Sequence, residues 1–142
     1  MDKRQVHLQV FTPRGLKMDE RADMLIMRCV DGDMGVLPGH APLSAALGDG
    51  ILRIIRGEAE QKIALFGGVV VVRDNRVSIL TTIAQRPDEI DLARAEADRE
   101  QADLLLQEQS DELKMQSYRI LLRRALVRIE VSVQPTGGGE DE

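Results

Sequence analysis

The chain has no tryptophan, one tyrosine, two phenylalanines, two histidines and one cysteine among its 142 residues. With aromatic residues at 2%, a core must come from Val, Ile, Leu, Met and Ala, and an apolar content of 43% suffices for one ordinary domain or two small ones. The lone Cys29 excludes an internal disulfide and suits a reducing cytoplasm. Set in an apolar run, it reads as a small core residue. His7, in a strand pattern, and His40, in a proline-bounded loop, form no cluster with metal-ligand spacing. No glycine-rich loop ends in Lys-Ser or Lys-Thr, and Ser44 lacks the context of a nucleophile elbow. These gaps predict a chain with no catalytic residues and no enzymatic activity of its own. No apolar run approaches the roughly 20 residues that span a bilayer, so no direct membrane insertion is expected. The net charge of −5 argues against general nucleic-acid affinity. Met1-Asp2-Lys3-Arg4 leads straight into a strand pattern, and no signal peptide is visible.

Over residues 1–86, short apolar stretches alternate with turn residues. Val6-His7-Leu8-Gln9-Val10 has a period of two, and residues 22–30 are mostly apolar. Asp31-Gly32-Asp33-Met34-Gly35 reads as a turn before a short strand at Val36-Leu37. Pro38-Gly39-His40-Ala41-Pro42 cannot lie inside a strand, because two prolines remove ladder donors. Gly48-Asp49-Gly50 divides the apolar stretches 43–47 and 51–55. Arg56-Gly57-Glu58 and Arg73-Asp74-Asn75-Arg76 read as hairpin tips. Strands this short and this closely spaced predict a β-sandwich or barrel.

Pro87 marks a boundary, with Asp88 and Glu89 suited to the first turn of a helix. Residues 90–109 lack Gly and Pro and predict a helix, in which Ala93, Ala97 and Ala102 permit close approach of a second helix. Ser110-Asp111 supplies capping chemistry for that second helix, beginning near Glu112. Tyr118, Leu121, Leu122, Ala125 and Ile129 follow helical spacing and should face the first arm. The short joint predicts an antiparallel hairpin. Its charge is divided: residues 88–112 hold ten acids and two bases, whereas residues 113–133 hold five bases and one acid. The cationic second arm therefore has two possible partners, the first arm or an acidic surface elsewhere. Neither arm of about 20 residues is reliably stable alone in water. The fold class expected is α+β by content, in two parts: an N-terminal all-β sandwich over 1–86, then a C-terminal helical hairpin over 87–133. A disordered acidic tail over 134–142 is expected to follow.

Asp91, Arg94, Asp98 and Gln101 fall on one face of the first helix, and Arg119 with Arg123 and Arg124 with Arg128 are each four apart on the second. Guanidinium groups converging beside an Asp suit a nucleotide triphosphate. The alternative is a solvated helix face carrying ordinary surface pairs, each worth about 0–1 kcal/mol.

Gly32-Asp33-Met34-Gly35-Val36-Leu37-Pro38-Gly39-His40-Ala41-Pro42-Leu43 resembles the signature loop of the epsilon subunits of F-type rotary ATP synthases. Ile90-Asp91-Leu92-Ala93-Arg94-Ala95 is similar to that family's Ile/Leu-Asp-x-x-Arg-Ala element. The resemblance runs from about Val6 to Val133. It implies a non-catalytic central-stalk subunit, peripheral at the cytoplasmic face of the bacterial cell membrane, that rotates with the gamma subunit and touches the c-ring. Asp33, Met34 and His40 fall where family members face the c-ring. The helices are implied to lie on the sandwich or to extend into the catalytic head of alpha and beta subunits, blocking ATP hydrolysis. Arg119, Arg123, Arg124 and Arg128 occupy the positions that approach an acidic loop of the beta subunit. No cofactor is required, but in some bacterial members the folded hairpin binds ATP as a regulatory ligand. That property maps onto Ile90, Asp91, Arg94, Ala95, Arg124 and Arg128. Gln85, Gln101 and Ser117 depart from the family, standing where tight binders have charged residues. The coupling ion, proton or sodium, is not specified. The rivals are a free-standing nucleotide-sensing module and a purely structural stalk protein with an immobile hairpin.

Overall fold

The computed structural model describes residues 5–133. Ten strands precede two helices: β1 (Val6–Thr12), β2 (Gly15–Ala22), β3 (Met24–Cys29), β4 (Gly32–Val36), β5 (Leu43–Ala46), β6 (Asp49–Arg56), β7 (Ala59–Phe66), β8 (Val69–Arg73), β9 (Arg76–Leu80), β10 (Ala84–Gln85), α1 (Leu92–Glu108) and α2 (Glu112–Val133). The strands form two five-stranded sheets, ordered β2-β1-β9-β8-β5 and β10-β7-β6-β3-β4. Among the described residues, only β1 and β9 pair in parallel. The sheets pack face to face over alternating side chains, with Leu8, Leu25, Met27, Leu52, Ile54, Ile63 and Ile79 fully buried between them. This is the expected sandwich followed by a helical hairpin.

Turn chemistry fixes the register. Asp74 and Asn75 both have positive φ, 54° and 63°, which gives β8 and β9 a two-residue turn whose twist matches the strands. Gly68 has φ +114°, and a Cβ there would sit 2.2 Å from the Leu80 carbonyl oxygen, so no other residue fits. Glu20 pairs opposite Leu8 on the edge strand β2, and its carboxylate reaches Arg56 and, at 3.7 Å, Arg86. An inward charge of this kind also discourages edge-to-edge pairing with another sheet.

Several local expectations change. The run 31–35 is not a turn: Gly32–Val36 is a strand paired with β3, and the turn is Val30-Asp31. Its polar and glycine-rich composition is tolerated because β4 is an edge strand. Strand β2 was not anticipated, since its charged residues Asp19, Glu20 and Arg21 mask an alternation that buries only Met18 and Ala22. Pro87 opens a single 3-10 turn rather than the helix, and Ile90 is extended. Asp91 then caps α1, accepting a hydrogen bond from Arg94 N at 3.1 Å. Asp111 caps α2 as expected, accepting from Leu113 N at 2.9 Å. Ala93 and Ala97 face solvent, whereas Ala102 is buried as expected, together with Ala95 and Ala125. The tail over 134–142 lies outside the described residues.

Candidate functional site

The hairpin lies on the outer face of the β10-β7-β6-β3-β4 sheet. Helix α2 packs on β6, β7 and the 3-10 turn, and α1 packs on α2. The reason is written in β7. Its first half is half-buried at every position, but Ile63-Ala64-Leu65-Phe66 is buried throughout, Ile63 and Leu65 in the sandwich core and Ala64 and Phe66 on the opposite face. On that outer face Ala64, Phe66 and Val131 form a small apolar cluster, edged by Ile51, Ile83, Ile90 and Val127.

Two arginines of α2 close over this cluster. The Arg128 guanidinium lies 4.5 Å from the Phe66 ring centroid, and Arg124 lies 5.2 Å from it. Arg124 Nε donates to Asp49 Oδ2 at 2.8 Å, and Arg128 Nε donates to Gln85 Oε1 at 2.8 Å. The Asp49 side chain is only 12% exposed, so its pairing with Arg124 is partly sheltered. Burial lowers the pKa of Arg128, and the like charges of Arg124 and Arg94 lower it further, against the opposing pull of Asp98 and Asp49. Gln85 satisfies a donor of Arg128 without neutralising it. The seam thus holds a surplus of positive charge facing the Arg94–Asp98 pair of α1, which sits at 3.7 Å.

The residues expected to take ATP divide. Arg124 and Arg128 lie together over the Phe66 ring, whereas Arg94 is largely exposed and paired with Asp98, near enough for its charge to bear on Arg128. Asp91 is occupied as a helix cap, Ala95 is buried at 1% exposure, and Ile90 packs into the apolar cluster. The four arginines assigned to an acidic partner divide as well. Arg119 and Arg123 are exposed, with Arg119 3.3 Å from Glu112, whereas Arg124 and Arg128 are turned into the seam. Of the c-ring residues, Asp33 is exposed on β4, 3.7 Å from Arg28, while Met34 packs partly against the sandwich core. His40 sits in the following loop, where its Nδ1–H donates to the Ala41 carbonyl at 2.7 Å. That loop is tied to the β8–β9 turn by Gly39 N donating to Asn75 Oδ1 at 2.7 Å. Sequence reasoning missed Phe66 and Asp49. The run Ile63-Ala64-Leu65-Phe66 was the available signal for Phe66, since a strand apolar on both faces must be covered on both. Nothing local marks Asp49. Among the described residues no group of three or more His, Cys, Asp or Glu is placed to hold a metal ion, and no helix is long and apolar enough to cross a membrane.

The family described as ATP synthase, Delta/Epsilon chain, beta-sandwich domain matches residues 5–87, and its long alpha-helix domain matches residues 88–132. The chain belongs to the ATP synthase delta/epsilon family. Among its epsilon-chain relatives, that of Desulforamulus reducens is 34% identical, covering 88% of this chain and 95% of the relative. That of Halalkalibacterium halodurans is 36% identical, covering 89% and 96%. A chain in the Euglena gracilis mitochondrial ATP synthase assembly of OSCP, catalytic head and c-ring is 25% identical with a TM-score of 0.76, covering 92% of this chain and 82% of that one. These similarities support an epsilon subunit of an F-type synthase, a component of the central stalk.

Proposed function

We propose that the chain is a non-catalytic regulatory and coupling subunit of a bacterial F-type ATP synthase. Residues 1–86 form the unit that joins the gamma subunit to the c-ring, through Asp33, Met34 and His40, at the cytoplasmic face of the membrane. Residues 87–133 form the regulatory hairpin, which limits ATP hydrolysis when it leaves the sandwich for the alpha and beta subunits. The observation that carries this reading is the inward position of Arg124 and Arg128. While they are held by Asp49, Gln85 and the Phe66 ring, only half of the cationic set on α2 is displayed. Release adds them to Arg119 and Arg123, so docking and inhibition exclude one another through the same two side chains.

ATP belongs to this reading as an optional regulatory ligand of the docked state. Its phosphates suit Arg94, Arg124 and Arg128, and a ligand shifts two states only by its difference in affinity for them. At a hundredfold excess over its Kd it would stabilise the docked state by about 2.7 kcal/mol. Gln85 and Gln101, neutral here, add no further charge. Calorimetric titration should show saturable heat; no heat at millimolar ATP removes the ligand and leaves the hairpin reading standing.

The decisive experiment is ATP hydrolysis by the whole synthase with and without residues 88–142. Deletion is expected to raise hydrolysis, and Arg124→Ala with Arg128→Ala to raise it part of the way. Hydrolysis unchanged by the deletion under every nucleotide and ion-gradient condition would contradict the inhibitory role.

A further inference from the structure

Residues 86–91 are the covalent path from the sandwich to the hairpin, and they are fastened unevenly. On the sandwich side, Gln85 still pairs with Ala64 of β7. The 3-10 turn Pro87–Glu89 is then tied to β2 and to the residue before it. Lys17 Nζ donates to both Glu89 carboxylate oxygens, at 2.8 and 2.7 Å. Arg86 N donates to Glu89 Oε1 at 2.8 Å, and Glu89 N donates to the Arg86 carbonyl at 3.0 Å. Glu20, also on β2, lies 3.7 Å from Arg86 while pairing with Arg56 at the end of β6. The Lys17 side chain is only 23% exposed, so its pairing with Glu89 is partly sheltered. The far side of the path differs. Ile90 and Asp91 are both extended, with φ/ψ of −94°/130° and −83°/96°. Ile90 N donates back to the Pro87 carbonyl at 3.3 Å, whereas Asp91 caps forward, accepting from Arg94 N at 3.1 Å. Rotation about the link between these two residues breaks none of the bonds just named. Rotation at Arg86 would break all four that Glu89 makes with Lys17 and Arg86.

We propose that the hairpin pivots at the Ile90–Asp91 link, and that the turn Pro87–Glu89 stays on β2 as part of the sandwich when α1 and α2 leave. The inference rests on the regulatory reading above, in which the hairpin leaves at all. A hinge is a short stretch that absorbs the backbone change while its flanks move as rigid bodies, and the uneven fastening selects this one. Lys17 and Glu20 are the residues that set its position. Pro87 adds to the hold, because its ring fixes φ at the start of the turn. Ile90, which edges the apolar cluster of Ala64 and Phe66, stays behind and keeps part of the docking surface in place for the hairpin's return.

The test is a pair of covalent locks on the full chain, in a Cys29→Ala background. Lys17→Cys with Glu89→Cys, joined by a short bismaleimide, fastens the turn to β2. Asp49→Cys with Arg124→Cys, joined in the same way, fastens α2 to the sandwich. Both pairs of side chains meet end to end in the docked state, so both lie within reach of the linker. Thermal melting of each cysteine pair before linking shows that the sandwich is folded. Native-state hydrogen exchange reads the opening of α1 and α2, and ATP hydrolysis by the reassembled synthase reads its consequence. The turn lock is expected to leave helix exchange at the wild-type rate and inhibition in place. The helix lock is expected to abolish the separate helical opening and to relieve inhibition. If the turn lock abolishes the opening as the helix lock does, the pivot lies before Glu89 and the proposal is overturned, with the regulatory reading intact. If the unlocked protein shows no separate helical opening, the regulatory reading fails and takes the pivot with it.

Discussion

The sandwich core and the seam beneath the hairpin are both apolar contacts, yet they are built on different scales. Nineteen buried residues form one cluster between the sheets, so no single side chain decides whether the sandwich holds. At the seam three buried residues form the cluster, edged by four partly buried ones, and further hold comes from Arg124 and Arg128 over Phe66, their bonds to Asp49 and Gln85, and the Lys62–Glu130 pair. A large redundant core and a small dependent one give two levels of stability in one chain, and the proposed function requires the second to be low enough to open on its own. The seam also mixes apolar contact with charge, and its arginines can be satisfied elsewhere in a way that Leu52 or Ile63 cannot.

The comparison is broken most severely from the core side. Leu52→Ala or Ile63→Ala, both at fully buried positions, should cost about 2–5 kcal/mol and lower the melting temperature of the whole sandwich in calorimetry. Phe66→Ala should cost about 2 kcal/mol, expressed as release of the hairpin while the sandwich stays folded. Enhanced amide exchange confined to α1 and α2 would register it. Asp49→Asn removes the counter-charge of Arg124 and should loosen the hairpin by about 1 kcal/mol, read by the same exchange.

Acid should act on the linker between the two regions. Glu89 is held below the ordinary carboxylate range, first by the Arg86 backbone N–H and then by Lys17, whose Nζ donates to both carboxylate oxygens at 2.8 and 2.7 Å. A carboxylate favoured in the folded state contributes fully above its unfolded value, about 4.3, and less as pH falls through the lowered folded value. Melting temperature should therefore fall on acidification below about pH 4.3, and Glu89→Gln should flatten part of that fall. The smallest effect is the reverse in sign. Arg73→Gln should stabilise the sandwich by about 0.3 kcal/mol, by removing the repulsion across the β8–β9 turn.

Legibility in the sequence followed the same division. Turn residues marked Gly57-Glu58 and Asp74-Asn75 correctly, because local backbone chemistry decides a tight turn. The polar edges were harder to read: β2 and β4 are strands because their neighbours' ladders extend to them, not because their own side chains favour it. The cap at Asp111 was legible, whereas the start of α1 was displaced by the extended Ile90. The arginines of α2 were visible as a charged stripe. Their inward commitment was not, because Asp49 and Phe66 lie 75 and 58 or more positions away in the chain and only the fold brings them beside α2.

Native-state hydrogen exchange on the full chain most directly tests whether the hairpin opens as a unit separate from the sandwich. The prediction is that amides of α2 near Arg124 exchange through an opening of lower free energy than those of β6 and β7, while the strands stay protected. Equal protection of helices and strands, lost together in a single cooperative transition, would contradict it.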